Sequence, residues 1–100
     1  NNEIIISDNK EKQNFTFEIS KSDQYGIYNL FLYRNNIQTD MGIARINTIE
    51  LNLELINILK YNNKHKVTAN FNRYFNKWEV IGTTENNLSN INDVLNYQQK

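Results

Sequence analysis

The densest run of chemically capable side chains lies between residues 60 and 78. Lys60, Lys64, Lys66, Arg73 and Lys77 fall there with no acidic residue among them, and Tyr61, Phe71, Tyr74, Phe75 and Trp78 are interleaved. Cations beside aromatic rings suit single-stranded nucleic acid, with charge for phosphates and π-faces for bases. They also suit a plain binding face for a protein or another polymer. A third reading is structural: Lys60 and Lys64 end a helix, Phe71 and Trp78 point into the core, and Tyr74-Phe75 fold back over it. The candidate binding residues are Lys64, Lys66, Arg73, Tyr74, Phe75 and Lys77. The two turn rings stand out, because apolar rings in a turn are costly to expose without a use.

Catalysis finds little to work with. There is no Cys, and Ser–His chemistry would rest on His65 alone. No GxSxG or SxxK pattern marks a nucleophile. The acids show no DxD or ExxH spacing, and one His does not make a His-rich metal site. Glu50 and Glu54 stand one helical turn apart, the usual spacing of a solvated face. Gly26, Gly42 and Gly82 are too scattered for a phosphate-cradling loop. Gly26-Ile27-Tyr28 matches the first letters of the GIY-YIG nuclease signature. The partnering YIG, due about ten residues later, is absent. The chain is therefore expected to be non-enzymatic, with no metal and no cofactor.

Composition narrows the class further. The chain has 100 residues, 39% of them hydrophobic and 22% charged, with a formal net charge of zero. That describes one globular domain over residues 1–100, large enough to bury a core without staples. Global neutrality weighs against a nucleic-acid binder, which is usually basic. Asn makes up 20 residues and Ile 13, while Pro is absent. The abundant types share AT-rich codons, so the bias reads as that of an AT-rich microbial genome before it reads as function. The sequons at Asn14 and Asn87 are what such a composition yields by chance. The chain begins at Asn1, which suggests a processed chain or a piece of a longer protein, and no apolar run is long enough to span a membrane.

The elements that must hold these residues follow from periodicity. Ile4-Ile5-Ile6 reads as a short first strand. NFTFEIS (14–20) alternates, with Phe15, Phe17 and Ile19 on one face. YGIYNLFLYR (25–34) is apolar on both faces and reads as a central strand, its rings shared between the core and a second covered face. Arg34-Asn35-Asn36 forms a tight hairpin turn, and 37–46 returns with Ile37, Met41 and Ile43 in phase. NTIELNLELINILK (47–60) reads as a helix whose inward face is Ile49, Leu53, Ile56 and Leu59 with Leu55 beside them. Asn47 and Glu50 are spaced as a capping box. HKVTANFN (65–72) and WEVIG (78–82) make a second hairpin around RYFNK. Leu88, Ile91, Val94 and Leu95 repeat at helical spacing, with Asn87 or Ser89 as cap.

The expected fold is thus α+β, an antiparallel sheet in the order β-β-β-β-α-β-β-α with two helices on one face. A curved antiparallel sheet followed by a helix resembles small single-strand-binding folds. A helix packed on a sheet that ends in KWEV resembles small extracytoplasmic domains of the cystatin-like kind. The sequence supports a non-enzymatic interaction module, extracytoplasmic in preference to cytoplasmic, with a protein partner favoured over nucleic acid. The alternative is a small single-stranded nucleic-acid-binding domain working through residues 60–78. Unpaired sheet edges also make a homodimer plausible.

Overall fold

The computed structural model describes residues 12–100. The expected strand at Ile4–Ile6 lies outside them. The elements are β1 (Asn14–Lys21), β2 (Tyr28–Arg34), β3 (Ile37–Ile43), β4 (Arg45–Ile46), α1 (Ile49–Tyr61), β5 (His65–Asn72), β6 (Lys77–Thr83) and α2 (Ile91–Gln98). The α+β order is the expected one, although β3 and β4 both come from the single strand read over 37–46. Asn35 and Asn36 both take positive φ, 52° and 66°, as a two-residue turn of the primed type requires.

The six strands form one sheet in the order β3-β2-β1-β5-β6-β4. All neighbours are antiparallel except β4 and β6, which are parallel, so the sheet is mixed and not purely antiparallel. The ends of that order are adjacent in sequence. Ala44 still donates its N–H to the Tyr28 carbonyl of β2, at 2.9 Å, whereas Arg45 and Ile46 pair with Glu79 and Val80 of β6. One strand therefore changes partners at Ala44 and brings the sheet back on itself. Irregular registers at Leu30/Phe31 and Thr68/Ala69 add the bend such closure needs.

The inward face is one apolar cluster. Phe15, Phe17 and Ile19 of β1 meet Val67, Ala69 and Phe71 of β5, Trp78 and Val80 of β6, and Tyr28, Leu30 and Leu32 of β2. Trp78 sits among rings, its centroid 4.9 Å from Phe17, 5.0 Å from Phe71 and 5.6 Å from Phe15. Its indole N–H donates to Gln98 Oε1 at 3.0 Å, so the buried ring keeps its polar atom satisfied. β2 is one strand in from β3 and is not central; β1 and β5 occupy the middle. Phe31 and Tyr33 are half-buried on the outer face, opposite Leu30 and Leu32.

Both helices cover the inward face, but α1 does so with a stripe different from the expected one. Leu51, Leu55 and Leu59 are buried, while Ile49 and Leu53 are 77% and 59% exposed. The i, i+4, i+8 leucine row defines the packed face. Leu55 and Leu59 belong to the face the sequence pattern marks, whereas Ile49 and Leu53 do not. The cap is Thr48 and not Asn47: Thr48 Oγ1 accepts the Leu51 N–H at 3.1 Å. Helix α2 is capped by Asn90, whose side chain accepts the N–H groups of Asn92 and Asp93, rather than by Asn87 or Ser89.

Ser89 has another task. The first half of β1 pairs with β5 but not with β2, whose register with β1 begins only at Glu18. Ser89 fills that gap: its N–H donates to the Thr16 carbonyl at 3.0 Å, and its Oγ accepts the Thr16 N–H at 2.8 Å. Both backbone groups of a buried residue are thereby satisfied.

Leu30 is fully buried, so Leu30→Ala is expected to cost about 2–5 kcal/mol. Half-buried Phe31 should cost clearly less on truncation, and urea unfolding giving equal losses would contradict this arrangement. Burial, with Tyr25 adding to it, raises the Tyr28 hydroxyl above the usual 10.0. Above that pH the unfolded chain binds fewer protons than the native one, so stability falls as pH rises. Urea titrations from pH 9 to 11 should show that slope, and Tyr28→Phe should flatten it.

Candidate functional site

The structure separates the six candidate residues into three places. Lys64 precedes β5 and Arg73 follows it, so at about 3.3 Å per residue they stand roughly 30 Å apart along the strand. No continuous basic lane joins them. Lys66, Thr68, Asn70 and Asn72 do share the outer face of β5, each half-buried. There Lys66 lies opposite Glu18 of β1, and Asn70 donates to Asn14 Oδ1 at 3.3 Å.

Lys64 belongs to a small polar triad on that face. Its ammonium donates to the Tyr33 hydroxyl at 3.2 Å and lies 3.5 Å from Glu18 Oε1, while Tyr33 donates to Glu18. The Tyr33 hydrogen bond and the Glu18 charge push the Lys64 ammonium above its ordinary value. The Glu18 carboxylate thus takes up much of the Lys64 charge, with Lys66 across from it in the register.

Arg73 has a structural assignment. Its guanidinium donates to the carbonyls of Tyr97, at 2.8 Å, and Gln98, at 3.1 Å. Those are the last carbonyls of α2, which has no basic residue of its own in its final turn. Arg73 supplies the missing cation at the negative end of the dipole, and its flat group lies 5.1 Å from the ring centroids of both Phe71 and Tyr97. Lys77 opens β6, exposed, opposite Asn72.

Tyr74 and Phe75 form the third place. They occupy the β5–β6 turn, which Asn76 completes at φ 57° and Asn72 braces by accepting the Phe75 N–H. Their rings meet edge to face at 4.8 Å. Phe75 is 46% exposed and Tyr74 88%, so the pair does not fold back into the core. The Arg45 guanidinium lies 3.9 Å from the Phe75 centroid, and its Nε is 3.4 Å from Glu79 Oε1. Glu79 also accepts from Asn72 Nδ2 at 3.1 Å. The turn, β4 and β6 are thus tied together, with Tyr74 on the outside.

Sequence reading missed Arg45, because nothing local marks a residue whose role depends on β4 meeting β6. Among the described residues, no three His, Asp or Glu side chains gather as metal ligands, and no helix is long and apolar enough to cross a membrane. Comparison with family models, with curated proteins and with solved structures finds no match for the chain.

The geometry separates structural from free cations. Arg73→Ala removes a cationic donor from two helix-end carbonyls, of which Tyr97 keeps the Lys100 N–H at 3.3 Å, and is expected to destabilise by about 1 kcal/mol. Lys77→Ala should stay within about 0.5 kcal/mol of wild type. Thermal unfolding of the two variants side by side checks the contrast; equal stability would remove the capping role of Arg73.

Proposed function

We propose that the domain is a non-enzymatic binding module that takes a protein partner at the β5–β6 turn. The observation that carries this reading is Tyr74, 88% exposed on a turn fixed by the Phe75, Arg45 and Glu79 contacts. A ring held in place before binding loses little conformational entropy on contact, which is why aromatic and arginine anchors dominate binding energy. Arg45 and half-exposed Ile81 on the neighbouring strand extend the surface.

The second reading, single-stranded nucleic acid, has one specific observation behind it. Three strand runs, the last of them β3 continuing into β4, then a helix and two strands, closed by the parallel β4–β6 pair, resemble the OB-type barrel, a scaffold on which oligonucleotides and oligosaccharides bind. A fold does not fix a ligand. Against this reading, Lys64 pairs with Glu18, Arg45 has Glu79, and Arg73 faces a helix end. Self-pairing of two copies along β3 is also disfavoured. Thr39 Oγ1 donates to the Ile37 carbonyl and Asp40 accepts the Gly42 N–H, so side chains of the edge strand occupy its own backbone groups.

Fluorescence anisotropy of a labelled single-stranded oligonucleotide, at low and moderate salt, separates the two readings. No binding at low salt is expected. Micromolar binding that weakens steeply with salt and is lost in a Lys64, Lys66 and Lys77 to Ala variant would replace the protein reading. A partner recovered with the wild-type domain should be lost on Tyr74→Ala, a change expected to leave stability within about 0.5 kcal/mol.

A further inference from the structure

A second feature lies elsewhere on the molecule and shares no residue with the Tyr74 surface. The β1–β2 connection, residues 22–27, stands clear of the sheet and leaves a hollow of about 400 Å³ between itself and α1. The loop is stiffened from within. The Ser22 N–H donates to the Ile27 carbonyl at 2.9 Å, the Ser22 hydroxyl accepts the Gln24 N–H at 3.0 Å, and the Ile27 N–H donates to the Gln24 carbonyl at 3.2 Å. Gly26 supplies the positive φ of 79° that lets the chain turn back. The hollow is therefore a property of a braced loop, present before anything enters it.

Its lining is mainly apolar, with Tyr25, Tyr28 and Ile56 among its walls and two lysines, Lys21 and Lys60, beside them. Among the described residues, the carboxylate ion pairs are Arg45–Glu79 and Lys64–Glu18, so neither Lys21 nor Lys60 is matched in one. Asp23 is the one carboxylate in the lining, which leaves the site one positive charge in excess. At roughly 30 Å³ for each water-sized group, the volume holds about a dozen non-hydrogen atoms. Tyr25, 95% exposed, offers a ring face that the fold itself does not use.

We infer that this hollow is a binding site for a small aromatic carboxylate. The exposed Tyr25 ring and Ile56 receive the planar apolar body, with Tyr28 buried behind them, and Lys21 and Lys60 receive the anionic end. The size limits the ligand to one or two fused rings. The single negative charge answers the single excess positive one. Neither Tyr74 nor the outer sheet face takes part, so this site stands or falls independently of the protein-binding surface.

The test is an amide NMR titration of the domain with 2-naphthoate and with its neutral isostere 2-naphthamide. Saturable shifts confined to residues 21–28 and 56–60 are expected, with the naphthoate bound several-fold more tightly. Lys60→Gln and Lys21→Gln should each weaken naphthoate about three- to fivefold, the weight of one exposed ion pair, and leave naphthamide unchanged. Ile56→Trp, shown folded by circular dichroism, should abolish both by filling the hollow. Absence of saturable shifts at millimolar naphthoate, shifts centred elsewhere, or equal affinity for acid and amide would each overturn the proposal.

Discussion

The structure depends on one strand that changes partners. Up to Ala44 the segment from Ile37 belongs to β2; from Arg45 it belongs to β6. Without that switch β6 would have no partner on its far side and the sheet would stay open there, a form prone to pairing with other chains. With it, the inner faces of all the strands converge on one cluster, and Trp78 finds rings on several sides. The same switch starts α1 three residues beyond β4, which places Leu51, Leu55 and Leu59 against that cluster. Arg45 is delivered to Glu79 and Phe75 by the same event, so the candidate binding turn and the closure of the sheet share a residue.

The outer surface follows a different rule. Where the interior is filled by rings and branched chains, the outer face of β1 and β5 is filled by short polar side chains that engage one another. Asn14 meets Asn70, and Glu18 serves Tyr33 and Lys64. Such pairs contribute little stability individually, but they leave few groups free to bind a ligand. What stands apart is what this network does not absorb: Tyr74 on one turn and Tyr25 on another. Both are tyrosines at the tips of connections whose backbones are internally hydrogen-bonded. Rigid loops carrying exposed rings on a closed scaffold are the usual means by which small β-rich domains present recognition elements.

Much of this was legible in the sequence, and the failures have physical reasons. Alternation in NFTFEIS and HKVTANFN announces strands with one buried face; the inward residues are as read, while Thr16 on the other face of β1 is also buried, under the Ser89 clasp. The Asn35-Asn36 turn follows from the tolerance of Asn for positive φ. For α1 the helix was legible but its orientation was not. Leucine and isoleucine surround it, and tertiary contacts, not periodicity, choose which row is packed. Residues 25–27 read as strand because their letters are apolar or aromatic, yet Gly26 at φ 79° takes them into a loop. Arg73 looked like a free cation because the carbonyls it caps lie about 25 residues away and are invisible to local pattern. The basic run at 60–77 is likewise a feature of the linear chain; folding sends its members to opposite ends of β5.

The Ser89–Thr16 clasp has a consequence for how the chain reaches this state. Ser89 lies 73 residues after its partner, so at ordinary rates of synthesis, 5–20 residues per second, β1 exists for roughly 4–15 s before its clasp is made. Until then the Thr16 backbone and the neighbouring Phe15 and Phe17 have no final cover. Completion of the domain is therefore tied to emergence of its last segment from the ribosome, and a nascent chain halted before residue 89 presents an unfinished strand to whatever chaperone is nearest.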